Sequence, residues 1–379
     1  WDSRWYPYTE TTALKQIDDY HNTYNYPLDN LVVDTDWRAG GATVGAGYAI
    51  ATDKFPDMER FLQEAHNRNV QVMFNDHPEP SKDENGQNRV VVDPVEVEYR
   101  YSNLTNLMNM GLDCWWYDRN WSVALVPPTG ICKEVMGMAV FTKATEDAYP
   151  DRRPYIMSNV DGINNGTYAY PSNIAAHRYG IHWTGDTPAG TDSLHREIEN
   201  TVKAAANSLL PYVSTDLGGF NGATNNISPE LYVRWTQFCT LSPIYRMHCA
   251  DGYTGRMPWL RGEEALNISR DYTNMRYRML PIYYQLSHEN YETGLPLTRR
   301  LDFTQPDYES ASRDDQYTLG DDILVAPVWE DIASGSYVPN EWLTTPDGQA
   351  GVKADYYKNI DQNVDFSSLT PTLTRTEIG

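Results

Sequence analysis

The sequence alternates short apolar runs with longer amphipathic stretches, and this alternation restricts the folds open to it. The runs are three to five residues long, which is typical of strands buried on both faces. A repeated strand–helix–strand order predicts parallel βαβ units, and about eight of them fit into a span of this length. The predicted strands are Leu31–Asp34, Val70–Phe74, Cys114–Tyr117, Tyr155–Ser158, Ile181–Trp183 and Tyr212–Ser214.

The segment after Asp93 gives the clearest helix prediction. Asp93 is a good N-cap, Pro94 suits the first turn, and Glu96 is placed to complete a capping box. Gly111 is expected to end the helix just before the next strand. The apolar face repeats at helical spacing through Val97, Tyr101, Leu104 and Met108.

These elements predict an α/β fold with a (β/α)8 TIM barrel over residues 1–308. A doubly wound open sheet is the alternative, but no G-x-G-x-x-G motif follows the first predicted strand. The pattern then changes, and Tyr317–Leu319 with Ile323–Val328 predicts a hairpin. We therefore expect residues 309–379 to form a small β-rich region, which is incomplete if the chain is part of a longer one.

Net charge and aromatic content limit the classes of partner that the chain is expected to bind. The net charge of −22 opposes binding to phosphate backbones, so a nucleic-acid partner is not expected. No apolar run approaches the length of a membrane-spanning helix. The chain has 28 Tyr and 11 Trp against 8 Phe. Tyr and Trp rings can stack on sugars, but they also commonly pack at the edge of a hydrophobic core. The location stays open, with a secreted or cell-surface one favoured over the cytoplasm.

Polar residues recur where the predicted strands end, which is where barrel enzymes place their catalytic groups. Five carboxylates at successive strand ends are too many to be helix caps alone, and Trp residues flank several of them. Such a set suits glycoside cleavage, in which one carboxylate attacks the anomeric carbon and a second, protonated carboxyl group donates its proton to the leaving oxygen. The candidates are Asp34, Asp36, His77, Asp118, Asn159, Asp186, Asp216 and His248, with Trp183 as an apolar wall beside Asp186 and Trp116 in the floor of the sugar site around Asp118.

Several motifs resemble the catalytic barrel of glycoside hydrolase family 31, the α-glucosidase and α-xylosidase family. Their order and spacing cover about residues 1–330. They are Trp5-Tyr6-Pro7-Tyr8, Asp34-Thr35-Asp36-Trp37, Phe55-Pro56-Asp57, the Asp118 segment, Arg178…His182-Trp183-Thr184-Gly185-Asp186, Asp216-Leu217-Gly218-Gly219-Phe220, Arg246-Met247-His248 and Leu319-Gly320-Asp321…Leu324-Val325-Ala326-Pro327-Val328.

The resemblance implies a retaining α-glycosidase that acts on an oligosaccharide or glycoconjugate and needs no metal or other cofactor. Asp118 takes the place of the nucleophile and Asp186 that of the acid/base. It further implies that Asp34 and His248 bind the hydroxyls of the −1 sugar. By position, Arg178, Asp216 and Phe220 would line the same pocket, while Asp36 and His77 either bind the sugar or support residues that do.

Two departures from the family pattern bear on the substrate. The nucleophile motif reads Asp118-Arg119-Asn120-Trp121 where the family usually has Asp-Met-Asn-Glu, and Asn159 stands where an Arg is common. A neutral amide hydrogen-bonds to different sugar hydroxyls than a charged guanidinium does. Specificity of the α-galactosidase or α-N-acetylgalactosaminidase type is therefore an alternative to specificity for glucose. The β-sandwich that precedes the barrel in the family is missing here, which leaves room for other domains of a longer parent chain.

Three other functions are alternatives to glycoside hydrolysis by Asp118 and Asp186. An α-transglycosylase would use the same site with a second sugar in place of water. An inactive carbohydrate-binding barrel would be expected to lack one of the two carboxylates, and both are present. A metal-dependent hydrolase could use Asp34, Asp36, Asp76 and His77, but no second His lies at a suitable spacing near His77.

Overall fold

In the computed structural model, which describes most of the chain, the protein divides into two compact units. These are Trp1–Trp329 and Glu330–Gly379. The boundary predicted at residues 308 and 309 stays a prediction. The described residues are 1–42, 47–118, 125–131, 133–158, 180–221, 227–250, 252, 255–330, 352–356, 371 and 373–377.

The first unit contains a sheet of seven parallel strands that pair in chain order, as expected for successive βαβ units. The six predicted strands are confirmed within a residue or two, and the structure adds Asp2–Arg4 ahead of them. The strands are β1 Asp2–Arg4, β2 Asn30–Val33, β3 Gln71–Asp76, β4 Cys114–Tyr117, β5 Ile156–Ser158, β6 Ile181–Trp183 and β7 Val213–Ser214.

An extended segment around Met247 closes this sheet into a barrel. Met247 forms parallel bridges with Leu217 after β7 and with Asp2 in β1. The amides of Ser3 and Trp5 donate to the carbonyls of Met247 and Cys249, both at 3.0 Å. The segment therefore takes the eighth position of a TIM barrel, which confirms the predicted fold class.

Helices follow the strands and cover the outside of the barrel. Asp93 caps the helix Pro94–Asn109 through a 2.9 Å hydrogen bond from the Glu96 amide, as predicted. The Glu96 side chain does not close the expected capping box; it accepts instead from the Ser81 amide at 2.8 Å. The helices are α1 Glu10–Asp18, α2 Met58–Asn67, α3 Pro94–Asn109, α4 Lys133–Ala148, α5 Thr191–Ser208, α6 Pro229–Thr240, α7 Glu263–Arg278, α8 Leu280–Thr293 and α9 Leu301–Thr304.

Two small antiparallel sheets complete the described structure. In the first unit, β8 Thr298–Arg299 pairs with β9 Tyr317–Leu319, which pairs with β10 Ile323–Val325 and confirms the predicted hairpin. In the second unit, β11 Val352–Tyr356 pairs with β12 Leu373–Glu377. Among the described helices, none is both long and apolar enough to cross a bilayer.

Strand alternation decides which side chains face the inside of the barrel. One face of the sheet carries a buried apolar cluster, and the other face packs against the helices. Because side chains alternate along a strand, the residues that continue the inner face past the strand ends point into the mouth of the barrel. The inner cluster consists of Val32, Met73, Cys114, Trp116, Met157, Ile181 and Trp183.

Candidate active site

Three neighbouring strands bring Asp34, Asn75, His77 and Asp118 together at the mouth of the barrel. Each lies two residues beyond an inward-facing residue, or four in the case of His77, so the period of the strand aims them inward. Asn75 Nδ2 donates to Asp34 Oδ1 at 2.9 Å and to Asp118 Oδ2 at 2.8 Å. His77 Nε2 lies 2.5 Å from the same oxygen of Asp118. The predicted nucleophile is therefore held by two side chains at the end of β3.

Asp34 is buried and shares this cluster with a second carboxylate. Burial, and next the charge of Asp118, raise the pKa of Asp34 to about 7, while His77 opposes the rise. The Thr35 amide and the Asn75 side chain each donate to Asp34. Near neutral pH, Asp34 can thus present either a donor or an acceptor to a ligand.

Asp186 follows β6 and is half-buried. Burial, followed by the charges of Asp216 and Asp118, raises the pKa of Asp186 to about 8. A carboxyl group with such a pKa keeps its proton at neutral pH and can act as a general acid. The sequence-based expectation of a protonated second carboxyl therefore agrees with its surroundings, although its catalytic role remains a prediction.

The segment that carries Asp186 is fastened from two sides. The Phe220 amide donates to the Thr187 carbonyl at 2.7 Å, which ties the segment to the loop after β7. The Thr187 hydroxyl bonds to Glu197, a fully buried residue of α5. Burial raises the pKa of Glu197 to about 8, so this carboxyl is also largely protonated at neutral pH. Sequence reasoning missed Glu197, because a lone Glu within a helical pattern reads as a solvent-facing residue.

Asp216 forms a buried ion pair with Arg246. Neither side chain is exposed, and Arg246 Nη2 donates to Asp216 Oδ1. Trp183 Nε1 donates to the same oxygen at 2.8 Å. Burial raises the pKa of Asp216, whereas Arg246 lowers it. Both carboxylate oxygens of Asp216 are therefore enclosed by protein, and the backbone of Thr187 also lowers the pKa of this group.

His248 is buried between aromatic rings and a hydroxyl group. Its Nδ1 lies 2.7 Å from Ser3 Oγ. The Phe220 ring stacks on it with centroids 5.2 Å apart, and the Trp116 ring meets it edge-on at 5.0 Å. Burial lowers the pKa of His248 well below its usual value, so the ring is neutral. Trp116 also contacts Trp183 edge-on, which places these predicted site residues on one apolar floor.

Asp36 and Asp76 lie apart from this cluster. Asp36 bonds to Lys54 at 2.5 Å, and Asp76 faces outward from β3 to bind Arg38 and Tyr48. Each of these carboxylates would have to give up its ion pair to bind a metal, and breaking a buried ion pair is costly. No group of three or more His, Cys, Asp or Glu side chains in the described ranges is arranged to hold a metal ion. The arrangement therefore gives the metal-dependent hydrolase no support.

Two predicted residues, Asn159 and Arg178, lie outside the described residues. The structure brings the other predicted residues, except Asp36, to the mouth of the barrel. It also adds Asn75, which sequence reasoning left off the site, and it pairs Arg246 of the Arg246-Met247-His248 motif with Asp216. A signal for Asn75 was present, because it lies two residues before His77 and so shares its face of the strand.

Comparison with known proteins identifies the family. The model described as Glycosyl hydrolases family 31 TIM-barrel domain matches residues 1–99 and 87–286. A probable alpha-glucosidase of Oryza sativa subsp. japonica is 33% identical over 225 residues, 58% of this chain and 24% of that protein. Neutral alpha-glucosidase AB of Homo sapiens is 36% identical over 196 residues, 49% of this chain and 20% of its own length. The chain thus spans only part of these relatives.

Solved structures share the fold. A Flavobacterium johnsoniae family 31 dextranase complexed with glucose aligns with a TM-score of 0.72 at 21% identity, covering 87% of this chain and 45% of that one. A family 31 α-xylosidase from a soil metagenome aligns with a TM-score of 0.70 at 20% identity, covering 87% and 56%. With the family model matched over most of the barrel, the chain belongs to glycoside hydrolase family 31.

Proposed function

We propose that this chain is the catalytic part of a retaining α-glycosidase that removes terminal α-linked sugars. The observation that carries the proposal is the contrast between two carboxyl groups at the barrel mouth. Asp118 accepts hydrogen bonds from Asn75 and His77, which favour a charged carboxylate. The raised pKa of Asp186, about 8, favours a protonated one. Two carboxyl groups in opposite states are what glycoside cleavage requires.

The proposed reaction has two displacements. In the first, a carboxylate oxygen of Asp118 bonds to the anomeric carbon while the bond to the leaving oxygen breaks and Asp186 gives that oxygen its proton. In the second, Asp186 takes a proton from water, the water oxygen bonds to the anomeric carbon, and Asp118 leaves as a carboxylate. Two inversions give net retention, and Asp186 regains its proton.

The sugar at the site is a finer part of the proposal. The relatives are named α-glucosidases, and the structural neighbours include a dextranase and an α-xylosidase. A galactose-type or N-acetylgalactosamine-type sugar is the alternative, supported by Asn159 in place of the common Arg. Transfer to a second sugar instead of water would use the same intermediate.

A panel of p-nitrophenyl α-glycosides tests both parts. The glucoside, xyloside, galactoside and N-acetylgalactosaminide are offered in turn, and proton NMR identifies the anomer released first from the best substrate. We expect one α-glycoside to be cleaved with the α-anomer as first product. A first-formed β-anomer would overturn the retaining mechanism, and an intact panel would favour the inactive carbohydrate-binding barrel.

The pH dependence of cleavage follows from the acid. Because the pKa of Asp186 is raised to about 8, the group is protonated below that pH and loses its proton above it. We therefore expect kcat/KM to fall as pH rises through about 8, tenfold per pH unit at the limit. Rate profiles from pH 5 to 10 check this. An alkaline limb that persists unchanged in Asp186→Asn would show that another group is responsible.

A further inference from the structure

His77 contacts the predicted nucleophile from the segment that follows β3. Its Nε2 lies 2.5 Å from Asp118 Oδ2, and Asn75 Nδ2 donates to the same oxygen at 2.8 Å. When Asp118 is ionised, as the proposed function requires of a nucleophile, it can only accept, so the hydrogen is on Nε2, which therefore donates. Both side chains are about five-sixths buried, at 15% and 16% exposure, so solvent screens the contact only in part.

The direction of β3 fixes this contact. Asp76 points away from the barrel interior and is held by Arg38 and Tyr48. Arg38 also donates to the carbonyl of His77 at 3.1 Å. The buried guanidinium of Arg38 thus fixes the backbone of His77 on the outer side of the strand. A side chain that orients another side chain needs such a fixed backbone.

The imidazole also lies among acidic groups. It lowers the pKa of Asp34 and of Asp186, while Asp118 raises both. Asp118 changes charge twice in the proposed reaction: it loses its negative charge when it bonds to the sugar and recovers it when water displaces it. A fixed donor on Asp118 favours the charged form at both ends of that cycle.

We propose, on the basis of the function proposed above, that His77 is a positioning residue for Asp118 and not a ligand of the sugar. Its Nε2–H holds the carboxylate in the orientation for attack and stabilises the charge that returns to Asp118 when the glycosyl-enzyme breaks down. This assigns His77 one of the two roles that the sequence left open.

The test compares three variants. His77→Phe keeps a flat ring without a donor, and His77→Gln keeps an N–H donor without an imidazole. His66→Phe is the matched control, because His66 Nε2 forms a similar 2.7 Å contact with Asp113 outside the site. We expect His77→Phe to lower kcat on the best aryl glycoside by about 10- to 100-fold, the loss typical of a hydrogen bond to a charged group. His77→Gln should recover most of it, and His66→Phe should match the parent.

Inhibition by the free product sugar separates positioning from sugar binding. A positioning role predicts an inhibition constant within about twofold of the parent in His77→Phe, because no sugar contact is lost. A rise in that constant in proportion to the loss of kcat would make His77 a sugar ligand and overturn the proposal. A parent that cleaves glycosides and a His77→Phe variant with unchanged kcat would overturn it while leaving the proposed function intact.

NMR spectroscopy tests the contact between His77 and Asp118 independently of catalysis. In 15N-labelled protein, Asp118→Asn should change the imidazole nitrogen signals of His77 and leave those of His66 in place. Unchanged His77 signals would show that the two side chains are not hydrogen-bonded and would overturn the proposal for an active or an inactive parent. Thermal melting of each variant confirms that it is folded before it is assayed.

Discussion

Asp118→Asn should reduce cleavage of every α-glycoside by more than about 10⁴-fold, whatever the leaving group, because no covalent intermediate can form without the carboxylate. Asp186→Asn should behave differently. Its loss should be about 10²- to 10⁴-fold on a substrate whose leaving group is another sugar, which needs a proton, and much smaller on an activated phenol. Initial rates on aryl glycosides of graded phenol acidity measure both effects.

The contrast between the two variants distinguishes chemistry from structure. Azide should restore turnover to Asp186→Ala on an activated glycoside, by attacking the glycosyl-enzyme to give a glycosyl azide. Asp192→Asn is the control, because Asp192 is an exposed carboxylate of the first turn of α5 and should leave the rates unchanged. Equal losses across all phenols in the Asp186 variant would make that residue structural.

Arg246→Met should cost about 3–5 kcal/mol of the free energy of unfolding, the usual penalty for leaving a buried charge without its partner. Neither Arg246 nor Asp216 is exposed, and the guanidinium also donates to Ser214 Oγ at 3.1 Å. It lies over the Trp116 ring at 4.9 Å. Methionine fills part of this space but cannot compensate the charge of Asp216.

The loss in Arg246→Met should grow with pH. Burial raises the pKa of Asp216 and Arg246 lowers it, so the variant should raise this pKa further. A group whose pKa is higher in the folded state holds its proton more tightly there, so stability falls as pH rises from the unfolded toward the folded pKa. Urea unfolding at pH 5 and pH 8 should therefore show the larger loss at pH 8.

Two comparisons make this prediction specific. Asp216→Asn added to Arg246→Met removes the uncompensated charge and should recover part of the stability. Arg68→Met, which breaks partly exposed ion pairs with Asp18 and Glu64, should cost less than about 1 kcal/mol per pair. The prediction fails if Arg246→Met unfolds like the parent at pH 8, or if the double variant is no more stable than the single one.

The apolar strands were predictable because each is buried on both faces, so β2 to β7 appear as short apolar runs. Strand β1 was not predictable by that route. Its three residues are Asp2, Ser3 and Arg4, and the first two are buried although polar. Ser3 bonds to His248, and Asp2 accepts from Gln16 at 2.9 Å. Tertiary partners, which sequence periodicity does not show, make this strand possible.

The strand-end carboxylates were predictable, but their neighbours depended on geometry. Asp36 looked equivalent to Asp34 in the sequence, yet it faces Lys54, because the chain leaves the strand after Val33 and enters a 3-10 turn. Glu197 lies eleven residues along the chain from Asp186 and supports its segment through Thr187. No motif links positions that meet only when a helix packs back onto its barrel.

The closure of the barrel has a consequence for synthesis of the chain. The hydrogen bond between Ser3 and His248 spans 245 residues, so it cannot form until that stretch has left the ribosome. At roughly 5–20 residues per second, β1 waits on the order of 10–50 s with one edge unpaired. An apolar edge exposed for so long would invite association with other nascent chains. The polar side chains of β1 lower the risk of such association while its edge is unpaired. When the barrel closes, Ser3 of the same strand forms its hydrogen bond with His248.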